Sequence, residues 1–151
     1  MVRKFMYIVS TMLLMFSITA CNSTIQVKPS DIDQIKLELV SYSKLPNGNA
    51  YTVKLRNLSK FKIAQNDIYL SYLIKTTSGG RTNDFKVMAR NNKLNIKPNE
   101  EIFVDLFAPI EEFAGNQKLD TETPYIEIIG YLEEVKEERR FQKTGQIDYF
   151  K

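Results

Sequence analysis

Residues 35–56, IKLELVSYSKLPNGNAYTVKLR, contain the clearest structural signal in this chain. In residues 35–39 apolar side chains alternate with charged ones, and residues 51–56 repeat the alternation. A period of two is typical of a strand that buries one face. Because Asn47-Gly48 between the two segments tolerates the positive φ angles of a tight turn, the pair is predicted to form an antiparallel hairpin.

The strand pattern continues through the rest of the chain. Residues 67–76 are apolar on both faces, which predicts a central strand, and residues 102–107 carry aromatic side chains on their second face. Shorter apolar runs lie between residues 85 and 96, and two final strands are predicted in 125–132 and 140–150. Seven or eight strands with turn signals and no convincing helix predict an all-β, antiparallel β-sandwich, with a closed barrel as the alternative.

The first twenty residues have the organisation of a secretory signal peptide. Arg3 and Lys4 precede an uncharged, apolar run over residues 5–19. This run is shorter than the roughly 20 residues needed to span a hydrocarbon core, so a permanent membrane span is the weaker interpretation. Residues 1–20 are therefore predicted to be removed from the mature protein.

The end of this run, Ile18-Thr19-Ala20-Cys21, resembles the lipobox of bacterial lipoproteins of the Gram-positive type. In that family an apolar and two small residues precede a cysteine that receives a diacylglycerol thioether and becomes the mature N-terminus. The resemblance implies lipidation of Cys21 and a location on the extracytoplasmic face of the cell membrane. Two acyl chains hold a protein on a bilayer stably, whereas one does not. The alternative is an ordinary signal peptide with a chance cysteine near its cleavage site.

Behind the lipobox, residues 21–34 are polar, contain Pro29 and show no sustained period, which predicts a lipidated N-terminus and a flexible tether. The folded domain is predicted over residues 35–151. Loss of residues 1–20 leaves 19 basic and 18 acidic residues. A chain so close to neutrality lacks the basic face of a nucleic-acid-binding protein, so no nucleic-acid partner is predicted.

Two segments resemble the immunoglobulin-like domains of extracytoplasmic bacterial lipoproteins. Residues 53–59, VKLRNLS, match a strand that ends in Asn-x-Ser, and residues 94–100, LNIKPNE, match a "Leu-x-Pro-Gly-Glu" turn that leads into the next strand. Asn99 stands in the glycine position, which asparagine can fill because it tolerates left-handed backbone. The resemblance covers about residues 35–150 and implies an immunoglobulin-like β-sandwich with a binding or scaffolding role. The antibody-type Cys and Trp signature is absent.

The composition excludes several kinds of catalytic site. The chain has no histidine and one cysteine, which excludes imidazole-based triads, His-ligated zinc and a disulfide framework. Residues 41–44 (SYSK) and 143–145 (KTG) match two elements of penicillin-binding enzymes, but 41–44 is predicted in a strand and a Ser-Asp-Asn element is missing. The acidic pairs match no calcium-binding loop. We therefore predict no metal, no cofactor and no catalysis.

Aromatic side chains are the remaining candidates for a binding surface. Tyr69, Tyr72, Phe103 and Phe107 lie in strands with two apolar faces, so an exposed row of them would form a patch for a protein or glycan. Packing inside the core is the alternative. The sequence thus predicts a lipid-anchored, non-catalytic binding or accessory module at the cell envelope. A structural or assembly subunit of an envelope complex and a small hydrolase are the other two hypotheses.

Overall fold

In the computed structural model, residues 26–147 are described, and eight strands in this part of the chain form two antiparallel sheets. Sheet A has the order β1-β2-β6 and consists of β1 (Ile35–Leu45), β2 (Gly48–Asn57) and β6 (Glu101–Pro109). Sheet B has the order β4-β3-β7-β8, with β5 also paired to β3, and consists of β3 (Ile63–Thr76), β4 (Gly79–Arg81), β5 (Val87–Met88), β7 (Leu119–Leu132) and β8 (Arg140–Gln146). The predicted antiparallel β-sandwich of seven or eight strands is confirmed.

The predicted hairpin is present as β1 and β2, which pair from Ile35 opposite Asn57 to Leu45 opposite Gly48. A bulge between Leu39 and Ser41 shifts the register on the edge strand β1. Gly48 is required by a close approach, because a Cβ at this position would lie 2.2 Å from the backbone oxygen of Ala108 in β6. The turn glycine therefore also allows β2 to pair with β6.

The core lies between the two sheets and follows the alternation of the strands. On β2 the side chains of Tyr51, Val53 and Leu55 are buried, and on β3 those of Ile68 and Leu70 are buried as well. β3 lies between β7 on one edge and β4 and β5 on the other, so the prediction of a central strand in residues 67–76 is confirmed.

The described helices are short. α1 (Pro29–Asp33) precedes β1, and two 3-10 helices, Ile110–Glu112 and Glu137–Arg139, follow β6 and precede β8. Among residues 26–147 no helix is long and apolar enough to cross a membrane. Part of the segment predicted as a tether is packed on the domain, because Val27 and Ile32 contact the core.

One end of the sandwich is closed by the side chain of Asn57, the last residue of β2, which is fully buried. Its Nδ2 donates hydrogen bonds to the backbone oxygens of Phe61 (2.8 Å), Ile96 (3.1 Å) and Lys97 (3.1 Å). Its Oδ1 accepts from the backbone N–H of Ser59 (3.2 Å) and from the Ser59 hydroxyl (2.7 Å). One amide thus connects β2 with the loops that lead into β3 and β6.

The turn before β6 completes this closed end. Asn99 has a φ of 63°, as predicted for its place in the turn, and its N–H donates to the backbone oxygen of Asn57 at 2.6 Å. Ile96 pairs with Ile63 through two backbone hydrogen bonds of 2.9 Å. The chain also enters the domain here, because β1 begins opposite Asn57.

The opposite end lies about 30 Å away along β2, given the rise per residue of a strand. The β1–β2 turn, the 3-10 helix Ile110–Glu112 and the beginning of β7 meet at this end. β8 ends at Gln146, within the strand predicted over residues 140–150. Residues 148–150 of that prediction lie outside the described residues.

We predict that Asn57→Ala lowers the free energy of unfolding by about 2–4 kcal/mol, because buried backbone oxygens and Ser59 lose their partners. Chemical denaturation at neutral pH measures this change. Asn116→Ala, in an exposed turn, is the matched control and should stay within about 0.5 kcal/mol of the wild type. Equal losses in the two variants would contradict a special role for Asn57.

Candidate functional site

A concave site lies at the end of the sandwich opposite Asn57, and we call it the end cleft. It has a volume of about 530 Å³, within the roughly 300–1,000 Å³ of small-molecule sites. It opens between the β1–β2 hairpin of sheet A and the beginning of β7 in sheet B. Half of the residues that line it carry polar side chains.

Three parts of the chain form walls of the end cleft. Leu39 and Leu45 of β1 form one side, and Ile110 and Phe113 of the 3-10 helix region form another. Residues 121–124 of β7, TETP, form a third side, whose polar groups are two threonine hydroxyls and the Glu122 carboxylate. The cleft therefore combines apolar walls with hydrogen-bonding groups.

Three tyrosines and one asparagine form a hydrogen-bonded group at the end cleft, which we call the tyrosine cluster: Tyr42, Asn49 and Tyr51, which line the cleft, and Tyr72, which is bonded to two of them. Asn49 Nδ2 donates to the Tyr72 hydroxyl at 2.9 Å, and the Tyr42 hydroxyl donates to Asn49 Oδ1 at 3.3 Å. The hydroxyls of Tyr51 and Tyr72 share a hydrogen bond of 2.9 Å. The cluster spans both sheets, because Tyr72 belongs to β3 and the others to β1 and β2.

Burial differs within the tyrosine cluster. Tyr51 and Tyr72 are only 3% and 2% exposed, whereas Tyr42 is 50% exposed at the rim. The rings of Tyr42 and Tyr51 lie 5.1 Å apart with a tilt of 36°, and the Tyr72 ring makes an edge contact with Phe113, also at 5.1 Å. The buried part is held rigidly by strands, while the exposed ring can contact a ligand.

Burial is the main reason that the pKa of Tyr51 is raised well above its ordinary value of 10. The hydrogen bond with Tyr72 adds to this effect. Burial also raises the pKa of Tyr72, against the hydrogen bonds from Tyr51 and Asn49, which lower it. Both hydroxyls are therefore protonated at physiological pH and can donate hydrogen bonds.

The aromatic residues selected from the sequence do not form one surface. Tyr72 is buried in the core, and Tyr69 is half-buried on the outer face of sheet B, with Lys86 Nζ 6.0 Å from its ring centre. Phe103 is 57% exposed on the outer face of sheet A, where Phe107 is half-buried beside Gly48. Only Tyr72 belongs to the end cleft region, through its hydrogen bonds in the tyrosine cluster.

The outer face of sheet A is mostly charged and polar around Phe103. Lys54 pairs with Glu38 at 2.9 Å, and Arg56 pairs with Glu101 at 2.6 Å. The Thr52 hydroxyl donates to Asp105 at 2.9 Å. Asp105 thus separates the two aromatic side chains of β6, and the ion pairs lie next to Phe103.

Another cavity, with a volume of about 320 Å³, lies on the outer face of sheet B. Its central group is Glu127, which is 6% exposed and pairs with Lys86. Glu127 also accepts a hydrogen bond from Gln142 Nε2 at 2.5 Å. Both carboxylate oxygens therefore have partners within the protein, so this cavity is a weaker candidate than the end cleft.

The two motif fragments noted in the sequence lie far apart. Ser41 belongs to β1 after its bulge, whereas Lys143 Nζ donates to the backbone oxygen of Ile35 at 2.9 Å. Six residues of strand separate Ser41 from Ile35, which corresponds to about 20 Å. The serine and the lysine therefore do not form one catalytic group. Within residues 26–147 no group of three His, Cys, Asp or Glu side chains could hold a metal ion.

Sequence reasoning did not identify Tyr42, Asn49 or Tyr51 as site residues. A signal for them exists in β2, whose inward-facing positions 49, 51, 53, 55 and 57 read Asn, Tyr, Val, Leu and Asn. A polar residue at an inward position requires a buried partner. The partner Tyr72 is supplied by the other sheet, so the pairing could not be read from the sequence.

Comparisons with known proteins assign no family, because no family model and no curated protein matches the chain. The lipobox residues Ile18, Thr19 and Ala20, together with Cys21, lie outside the described residues, and their predicted roles stay predictions. The site is therefore interpreted from its own chemistry.

The raised pKa values of Tyr51 and Tyr72 predict a loss of stability at alkaline pH. In the unfolded chain both phenols lose their protons near pH 10, whereas the folded protein keeps them protonated. The two phenols should therefore make their full contribution to the free energy of unfolding below pH 10. This contribution should fall as the pH rises above 10. Urea denaturation between pH 8 and pH 11 measures this decline.

Tyr72→Phe should lower the stability at pH 8 by about 1 kcal/mol, through the lost hydrogen bonds, but make the alkaline decline less steep. Tyr131→Phe removes a phenol outside the tyrosine cluster and serves as the matched comparison. If the stability of Tyr72→Phe fell with pH as steeply as that of the wild type, the attribution of the alkaline decline to the tyrosine cluster would be contradicted.

Proposed function

We propose that this chain is a lipid-anchored, extracytoplasmic binding or accessory module without catalytic activity, which presents the end cleft to a partner at the cell envelope. The observation that carries the binding role is the end cleft, with its protonated tyrosine hydroxyls and its exposed ring of Tyr42. Anchoring is supported by the residues Ile18, Thr19, Ala20 and Cys21 and their resemblance to a lipobox. The resemblance to immunoglobulin-like lipoprotein domains agrees with a two-sheet sandwich.

The position of the cleft supports this role. The chain enters the domain at the closed end, beside Asn57, whereas the end cleft lies at the other end of the sandwich. A lipid on Cys21 would therefore attach the end that lies opposite the cleft to the membrane. The cleft would face away from the bilayer, and the anchor would raise the effective concentration of the module near envelope partners.

The chemistry of the cleft suits binding better than catalysis. Hydroxyls of raised pKa stay protonated and keep a hydrogen to donate, but they are poor nucleophiles, because the phenolate is rarely formed. Within the described residues, Glu122 is the one carboxylate lining the cleft. The pair of acids with displaced pKa values that a hydrolase of this kind would need is not found there.

The assembly-subunit hypothesis requires a continuous apolar face, and the ion pairs around Phe103 interrupt the outer face of sheet A. The ligand-binding hypothesis therefore has the stronger support. Both hypotheses share the anchor at Cys21 and differ in the surface that meets the partner.

We predict that the full-length protein, produced in a bacterial host with a lipoprotein pathway, is cleaved between Ala20 and Cys21 and carries diacylglycerol on Cys21. Intact-mass spectrometry of the purified protein measures both changes. Cys21→Ala should carry no lipid and keep residues 1–20, because the acceptor thiol is missing. Ser23→Ala, outside the lipobox, is the control and should be processed normally. A mature chain that begins elsewhere, with an unmodified thiol, would contradict the proposal.

The binding surface is tested by placing a photoreactive amino acid at position 42 or 103 of the full-length protein in cells. The two positions are similarly exposed but lie at the cleft and on the outer face of sheet A, respectively. We expect an adduct with an envelope component from position 42 and little from position 103. A stronger adduct from position 103 would favour the assembly subunit, and the absence of an adduct at 42 would contradict the cleft as the binding site.

A further inference from the structure

The hydrogen atoms of the tyrosine cluster do not all have acceptors. The Tyr42 hydroxyl donates to Asn49 Oδ1, and the Tyr72 hydroxyl oxygen accepts from Asn49 Nδ2. Tyr51 and Tyr72 share one hydrogen bond, which uses the hydrogen of only one of the two hydroxyls. Whichever hydroxyl donates, the other keeps a hydrogen without an acceptor among the described residues.

Of this pair, Tyr51 lines the end cleft together with Asn49, so its hydroxyl is the donor that a ligand in the cleft approaches. Because both phenols are buried and protonated, an acceptor placed beside them gains a hydrogen bond in a region of low dielectric constant. A ligand with an uncharged oxygen acceptor, such as an amide carbonyl, satisfies this donor. A wholly apolar ligand, such as an acyl chain, would leave it unsatisfied.

The charged side chains that line the cleft do not favour a ligand of either charge. Lys44 and Glu122 both line it, with opposite charges, so neither a strongly anionic nor a strongly cationic ligand is favoured. The Thr121 and Thr123 hydroxyls and the Glu122 carboxylate provide several hydrogen-bonding groups along the β7 wall. The ligand should therefore be neutral and carry several hydroxyl groups.

The remaining surface suits a molecule with apolar faces as well as hydroxyls. The exposed ring of Tyr42 offers a flat apolar platform at the rim, and Leu39, Ile110 and Phe113 provide apolar contacts. A pyranose ring presents C–H groups on its faces and hydroxyls around its edge. An N-acetyl group adds a carbonyl acceptor and a methyl group that can contact the apolar walls.

From these groups we infer that the end cleft binds an N-acetylated saccharide, with the acetamido carbonyl accepting the unused hydroxyl hydrogen of the Tyr51–Tyr72 pair and a sugar ring stacked on Tyr42. The inference depends on the proposed function, because it specifies the ligand class of the same cleft. It also fits the position of the cleft, which opens at the end of the domain opposite the predicted lipid anchor, away from the bilayer. An envelope glycan would be reached there more readily than a membrane lipid.

The test uses the purified full-length protein in detergent micelles and three probes. Tri-N-acetylchitotriose carries the acetamido groups, cellotriose has the same linkage without them, and N-acetyl-trialanine amide offers amide carbonyls on a peptide. Saturation-transfer NMR and calorimetric titration measure contact and affinity. We expect tri-N-acetylchitotriose to bind, with strong transfer to its acetyl methyl groups, cellotriose to bind about tenfold more weakly, and the peptide to show the weakest binding.

Variants locate the interaction. Tyr51→Phe should weaken binding of tri-N-acetylchitotriose about three- to tenfold, because Tyr51 is the member of the donor pair that lines the cleft, and its hydroxyl is lost. Tyr42→Ala should weaken it by a similar factor through the lost stacking surface, and its exposed position makes the variant suitable if Tyr51→Phe folds poorly. Tyr131→Phe is the matched control and should bind like the wild type. Thermal unfolding reports whether each variant is folded.

The inference is overturned if the wild type does not bind tri-N-acetylchitotriose, if cellotriose binds equally well, or if the peptide binds more tightly. It is also overturned if folded Tyr51→Phe and Tyr42→Ala both bind normally. Any of these results combined with a photo-adduct at position 42 would reject only the saccharide and leave the proposed binding role. The loss of both the adduct and saccharide binding would reject the binding role itself.

Discussion

The two-sheet arrangement depends on the buried side-chain amide of Asn57. Apolar packing between sheets A and B is favourable but not directional, so it does not by itself select which end of the sandwich is closed. The Asn57 amide makes directional hydrogen bonds to the loops that follow β2 and precede β6, in a region where an unpaired polar group would be costly. These hydrogen bonds hold the two loops together at this end, while the β1–β2 turn and the β6–β7 connection lie at the cleft end.

The tyrosine cluster also shows that a buried amide needs hydrogen-bond partners, but here the partners are side chains. Asn49, at the other end of β2, is also buried and also hydrogen-bonded, but its partners are side chains of Tyr42 and Tyr72 rather than backbone oxygens. The backbone oxygens that bond Asn57 only accept hydrogen bonds. The hydroxyl groups around Asn49 carry hydrogen atoms that need acceptors themselves. β2 therefore carries a structural asparagine at one end and a cleft-lining one at the other, about 26 Å apart.

Local features of the fold could be predicted because neighbouring residues encode them. The hairpin of β1 and β2, the central position of β3 and the positive φ of Asn99 follow from alternation, apolar content and turn chemistry. The candidate site was predicted less well. The alternation places Tyr72 and Phe103 in strands with two apolar faces, but it does not show which face meets the core. In the structure Tyr72 is buried and Phe103 is exposed. The short helix α1 was missed because five residues are too few to show a helical period.

The sequence by itself determined that the chain forms antiparallel strands, where the first hairpin turns, and which residues, Ile18 to Cys21, are expected to direct lipidation. These properties depend on residues close together in the chain. Only the tertiary structure decided that Tyr42, Asn49, Tyr51 and Tyr72 meet below one cleft, and that this cleft lies opposite the end where the chain enters. The hydrogen-bond cluster joins side chains from strands of two different sheets, and no local pattern specifies such a meeting until the sheets have packed.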